Sequence, residues 1–92
     1  MKLSKTAKQL AKDLDLSEVD AYMMELKAKL YKRSADLIKE SNKTHEEIAN
    51  NIGTSRSRIN RIANHGENNV SVELLIKIIT TLEGKPPFKL VA

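Results

Sequence analysis

The chain has 92 residues, 16 basic against 12 acidic side chains for a net charge of +4, and no cysteine. Disulfides, thiolate metal sites and a catalytic thiol are thereby excluded, and a reducing, cytoplasmic setting is expected. No apolar run is long enough for a signal peptide or for the roughly 20 residues of a membrane span, so neither is expected.

Charge is unevenly distributed along the chain. Residues 1–12 carry Lys2, Lys5, Lys8 and Lys12 without an acid; residues 13–20 carry Asp13, Asp15, Glu18 and Asp20 without a base. Residues 54–61 carry Arg56, Arg58 and Arg61, again without an acid. The division expected is an extension at 1–16, a folded body at 17–84 and a tail at 85–92. The N-terminal lysines read either as a mobile basic arm or as a solubilising stretch.

The expected fold class is all-α, with four to five helices. Ala7, Leu10 and Ala11 allow a weak first helix. Ser17, with Asp20 three residues on, has the pattern of an N-cap opening a long helix. Val19, Tyr22, Met23, Leu26, Leu30, Leu37 and Ile38 recur along it at helical spacing, to about Glu40. Around Lys32-Arg33-Ser34 apolar residues thin out, so the helix either bends or divides there. Thr44, with Glu47 at the capping-box position, opens a short helix whose inner face is Ile48, Ala49 and Ile52. Gly53 ends it, because glycine tolerates positive φ. Ser55 caps the next helix, with Ile59, Ile62 and Ala63 inside, and Gly66 is expected to stop it. Ser71 opens a last helix through Leu74, Leu75, Ile78, Ile79 and Leu82, closed by Gly84. Both prolines, Pro86 and Pro87, follow it, so no proline breaks a helix earlier. Alternation at Phe88, Lys89 and Leu90 allows a short C-terminal strand, and the last helix with this tail, especially Phe88, Leu90 and Val91, is the surface expected to pair two copies across a two-fold axis.

Residues 44–64 have the pattern of a helix-turn-helix. Two helices meeting at a sharp angle need a small residue at the contact, a glycine-like turn and apolar residues at fixed offsets. Ala49, Gly53 and the set Ile48, Ile52, Ile59 and Ile62 supply these. An ordinary helical hairpin would explain the isoleucines and the glycine. It would not explain an outer face of Arg56, Ser57, Asn60 and Arg61 without a carboxylate, because the helix dipole favours acids at a helix start. Such an end suits phosphates and base edges instead.

The segment THEEIANNIGTSRSRINRIANHG resembles the core pattern of the Cro/lambda-repressor-like (XRE) family. NNVSVELLIKIITTLEG resembles the helix that follows in that family. The long preceding helix and short tail resemble the branch that contains many HigA-type antitoxins. The resemblance implies a lambda-repressor-like fold and a DNA-binding transcriptional repressor. Two positions depart from the pattern: His45 stands where a glutamine is usual, and Thr54 where an apolar residue is common.

By this resemblance Arg56, Ser57 and Arg61 are the base-reading residues. Both arginines suit the O6/N7 edge of guanine, and a serine pairs with several bases. Thr44, His45, Thr54, Ser55, Arg58, Asn60 and Asn64 are assigned to phosphate or peripheral contacts. His65 has no second ligand at metal spacing, and neither metal nor cofactor is expected. Catalysis is not expected either, since no phosphate loop or nucleophile–base set is present. The partners implied are a palindromic double-stranded operator, a second copy of the chain and, for an antitoxin, a small basic RelE/HigB-like toxin. A stand-alone phage or mobile-element repressor, with no toxin, is the rival reading. Location in the bacterial cytoplasm, on the nucleoid when bound, follows from either.

Overall fold

The computed structural model describes residues 5–13 and 17–88, without the side chains of Ala7, Leu10 and Ala11. Among the described residues five helices follow in order: α1 Lys5–Asp13, α2 Glu18–Glu40, α3 His45–Ile52, α4 Arg56–Ala63 and α5 Val72–Glu83. The architecture is all-α, as the hydrophobic periodicity requires. The packing of Ala7, Leu10 and Ala11 lies outside what is described, as do Lys89, Leu90 and Val91 of the expected tail strand. Phe88, the last described residue, is exposed and lies in no strand.

Local chemistry sets the helix boundaries. Ser17, Thr44, Ser55 and Ser71 each hold extended backbone at the N-cap, and each accepts a hydrogen bond from the backbone N–H three residues on. Such caps satisfy N–H groups that the first helical turn leaves without partners. Gly53 and Gly84 close α3 and α5 at φ +86° and +80°.

The end of α4 differs from the expectation that Gly66 stops it. His65 takes the left-handed conformation, at φ +57°. Its N–H donates to the Ile62 carbonyl at 3.1 Å, and Gly66 N–H reaches back to the Arg61 carbonyl at 2.7 Å. This 6→1 and 5→2 pair is a Schellman closure with His65 in the place glycine usually takes. The ring of Tyr31 on α2 lies 5.4 Å from that of His65, a contact that favours keeping the histidine there.

The core joins Leu30 and Ile38 of α2 to Ile48, Ala49 and Ile52 of α3, Ile59, Ile62 and Ala63 of α4, Val70, and Leu75, Ile78 and Ile79 of α5. α2 is one continuous helix of 23 residues. Its middle lacks large apolar side chains because α2 packs there through small ones. Ser34 and Ala35 are wholly buried, and Ser34 Oγ donates to the Leu75 carbonyl at 3.3 Å. Beside them, Arg33 pairs with Glu83 and ties the α2 surface to the end of α5. The N-terminal half of α2 departs from the expected apolar stripe: Val19 is 59% exposed and Met23 44%, while Leu26 packs against the core. Met24 is exposed beside Val19 and Met23.

Candidate nucleic-acid interface

The motif is held by two caps and one turn. Thr44 and Glu47 close a reciprocal capping box: Glu47 N–H donates to Thr44 Oγ1 and Thr44 N–H to Glu47 Oε1, both at 3.1 Å. Hydrogen bonding to the Glu47 carboxylate, foremost from the Thr44 backbone and then from the Thr44 side chain, holds it below its usual range. At the turn, Gly53 and Thr54 N–H groups share the Ala49 carbonyl at 2.8 and 3.0 Å. Ser55 then starts α4, accepting from Arg58 N–H at 3.1 Å. Ile48, Ile59 and Ile62 are fully enclosed, which fixes the roll of α4 and turns its polar residues outward.

Arg56 and Ser57, on the first turn of α4, are exposed, and among the described residues their side chains have no hydrogen-bond or ionic partner. Asn60 lies one turn beyond Arg56 on the same side. Asn64 donates from Nδ2 to the Asn60 carbonyl at 2.9 Å. Thr44 and Ser55 occupy the cap positions of α3 and α4, and His45 is the first residue of α3. Thr54 is half-buried in the turn between the two helices.

The other two arginines are engaged within the chain. Arg61 donates from Nε and Nη2 to a single oxygen, Glu67 Oε2, at 3.3 and 3.1 Å. Arg58 donates from Nη2 to the Asn69 carbonyl at 2.6 Å. Its Nε lies 3.6 Å from the same Glu67 oxygen, buried and without a hydrogen bond of its own. Foremost the hydrogen bonds from Arg61, with the two nearby positive charges, hold the Glu67 carboxyl below its usual range despite partial desolvation. Nothing in the local sequence pattern singles out Glu67. It lies beyond the end of α4, outside any i, i+4 spacing, and only the Schellman turn folds it back beside the arginines.

Among the described residues no group of three or more His, Asp or Glu is placed to hold a metal ion. No helix among them is long and apolar enough to cross a membrane. The surface that remains is an acid-free helix start with free hydrogen-bond donors, suited to an anionic polymer with readable base edges.

The sequence model of a family described as Helix-turn-helix matches residues 35–89, which takes in the end of α2 and all of α3, α4 and α5. No curated protein and no solved structure matches the chain. With well over half its length matched, the chain belongs to the Cro/lambda-repressor-like helix-turn-helix family and is a DNA-binding transcription regulator.

Proposed function

We propose that the chain is a sequence-specific repressor that binds a palindromic operator as a homodimer, with α4 in the major groove. The observation that carries this reading is the unpaired Arg56 and Ser57 pair on the outward first turn of a helix whose start has no acid. Arg56, Ser57 and Arg61 read base edges. Thr44, His45, Thr54, Ser55, Arg58, Asn60 and Asn64 serve phosphates or the edges of the site. Arg58 does so with the N–H groups that Asn69 leaves free. One α4 covers too few base pairs for tight specific binding, so two copies read half-sites about 34 Å apart, one turn of B-DNA. The half-buried Val72, Leu74, Ile76 and Leu82 on α5, with the tail at 85–92, form the pairing surface.

The test begins with selection of an operator from random duplexes. Arg56→Ala is expected to cost about 1–3 kcal/mol on that operator and to relax preference at one base pair. His45→Ala and Asn64→Ala should weaken all duplexes alike. Unaltered affinity and preference in Arg56→Ala would refute the assignment. A monomer in sedimentation at tens of micromolar, bound singly to the operator, would refute the dimer.

A second surface favours a protein partner as well. Val19, Met23 and Met24 stand exposed beside Glu18 and Asp20, and an open groove lined by Met24, Lys27, Ala28 and Tyr31 continues from them. Apolar anchors beside acids suit a small basic protein. In this reading the chain is the antitoxin of a toxin–antitoxin pair, uses residues 1–40 to mask the toxin, and represses its own operon. Expression within its native operon separates this from a stand-alone repressor. Deletion of residues 1–16 with Tyr22→Ser and Met23→Ser should abolish neutralisation of a neighbouring toxin and leave DNA binding. Full neutralisation by that variant would overturn the antitoxin surface.

A further inference from the structure

We infer that Glu67 is a positioning residue for base readout: it grips the Arg61 guanidinium along one edge so that the opposite edge is presented outward to a guanine. This rests on the assignment of Arg61 to a base and deepens it. A guanidinium carries five N–H groups, and Glu67 Oε2 takes two of them, one on Nε and one on Nη2. Both N–H groups of Nη1 and the second of Nη2 remain. They include the parallel end-on pair whose spacing matches guanine O6 and N7. Side-on capture by the carboxylate thus leaves the reading fork whole, and it orders a flexible side chain before DNA arrives.

The carboxylate is itself held in place. The Glu67 side chain is only 15% exposed. Its backbone N–H donates to Tyr31 Oη at 3.1 Å, which pins the loop to α2. On its other side the Arg58 guanidinium is fixed by the Asn69 carbonyl, with Nε 3.6 Å from the same Glu67 oxygen. Oε2 therefore sits between two cations, on a loop braced by the core rather than on a free tip.

A carboxylate so close to the reading face also repels phosphates. Glu67 thus raises preference for the operator and lowers affinity for arbitrary DNA. A residue that merely braced the loop would act on both in the same direction. The opposed signs are the signature of the positioning role.

The experiment uses the full chain as Glu67→Ala, Glu67→Gln, Arg61→Ala and the Arg61→Ala/Glu67→Ala double variant. Each is checked for folding by thermal melting. Affinity is then measured for the selected operator and a random duplex over a range of salt, with base preferences read by selection. Glu67→Ala is expected to bind the random duplex several-fold tighter and to lose about tenfold in operator preference, at the base pair that Arg61→Ala also relaxes. Glu67→Gln keeps an acceptor without the charge. It should show the same gain on random DNA with a smaller loss of preference, and it serves if the alanine variant does not fold. The double variant should be no less selective than Arg61→Ala alone, because Glu67 acts through that arginine. If Arg61→Ala changes no base preference, the base assignment fails and this inference with it. If Arg61→Ala loses preference while both Glu67 variants keep it, Arg61 reads a base without Glu67 and the inference alone is overturned. Additive losses in the double variant, or equal losses on both DNAs, overturn it in the same way.

Discussion

Gly53 and Gly84 both sit in the left-handed region, at φ +86° and +80°, and a Cβ built on either meets nothing within 4 Å. Any penalty for alanine at these sites is therefore backbone strain, free of steric collision. An L-residue in this region costs about 1–2 kcal/mol. The stiffer unfolded chain that alanine gives returns about 0.4–1 kcal/mol. A net loss of about 1 kcal/mol is expected at each position. Gly66 lacks positive φ, and its Cβ would come no nearer than 3.7 Å to the Arg61 carbonyl, so Gly66→Ala should be close to neutral. Urea unfolding of the three variants measures this directly. Function should divide the first two. Relief of strain at Gly53 means rotating φ toward about +57°, and that rotation swings α4 against α3. Gly53→Ala should therefore weaken operator binding as well as stability, whereas Gly84→Ala, beyond α5, should leave DNA binding intact. A Gly66→Ala loss as large as that of Gly53→Ala would refute the strain argument. Equal DNA binding by the Gly53→Ala and Gly84→Ala variants would refute the link from turn to reading surface.

Three further outcomes follow from named contacts. Ser34→Ala should change stability by no more than about 1 kcal/mol, the range for one buried hydrogen bond, whereas Ser34→Leu should cost about 1–3 kcal/mol by forcing α2 from α5; denaturant unfolding checks both. Thr44→Ala removes the acceptor for Glu47 N–H and should cost about 1 kcal/mol, read by the same method. The lowered carboxyls of Glu47 and Glu67 set the sign of the acid response. Their contribution is complete above the ordinary carboxylate value of about 4.3 and fades as pH falls below it through the lowered folded-state values. Thermal melting against pH should show a fall in stability in that acid range, and Glu67→Gln should flatten part of it. An unchanged slope in Glu67→Gln would mean that the Arg61 pairing adds nothing to folding.

The helices were legible in the sequence because each boundary carries its own chemistry. Thr44, Ser55 and Ser71 are oxygen-bearing caps, and Gly53 and Gly84 take the φ values that only glycine holds without strain. Periodicity gave the inner face of α3, α4 and α5 for the same local reason. What stayed hidden depended on contacts across the fold. The weak middle of α2 reads as a break until α5 lies against it and shows that Ser34 and Ala35 are small by need. The stop of α4 was misplaced by one residue because a glycine is the stronger local signal than a histidine whose ring rests on Tyr31, 34 positions back. Glu67 stayed hidden because its partners are set by the turn that this histidine makes.

The same turn changes what the arginines of α4 mean. Counted along the sequence, residues 54–61 carry three cations with no acid among them, which implies strong and indiscriminate attraction to phosphate. In the fold, Glu67 offsets one of these charges and fixes the direction of Arg61, while the Asn69 carbonyl holds Arg58. Among the described residues, Arg56 alone of the three is left without an internal partner. The attraction that needs no sequence is thereby reduced, and the donors that remain are aimed. A regulator must find one site among a great excess of competing DNA, so the ratio of specific to non-specific affinity matters more than either affinity alone. An acidic residue folded back beside the recognition helix improves that ratio from both sides, and the sequence position of Glu67 outside the helix is what lets it do so without disturbing the acid-free start of α4.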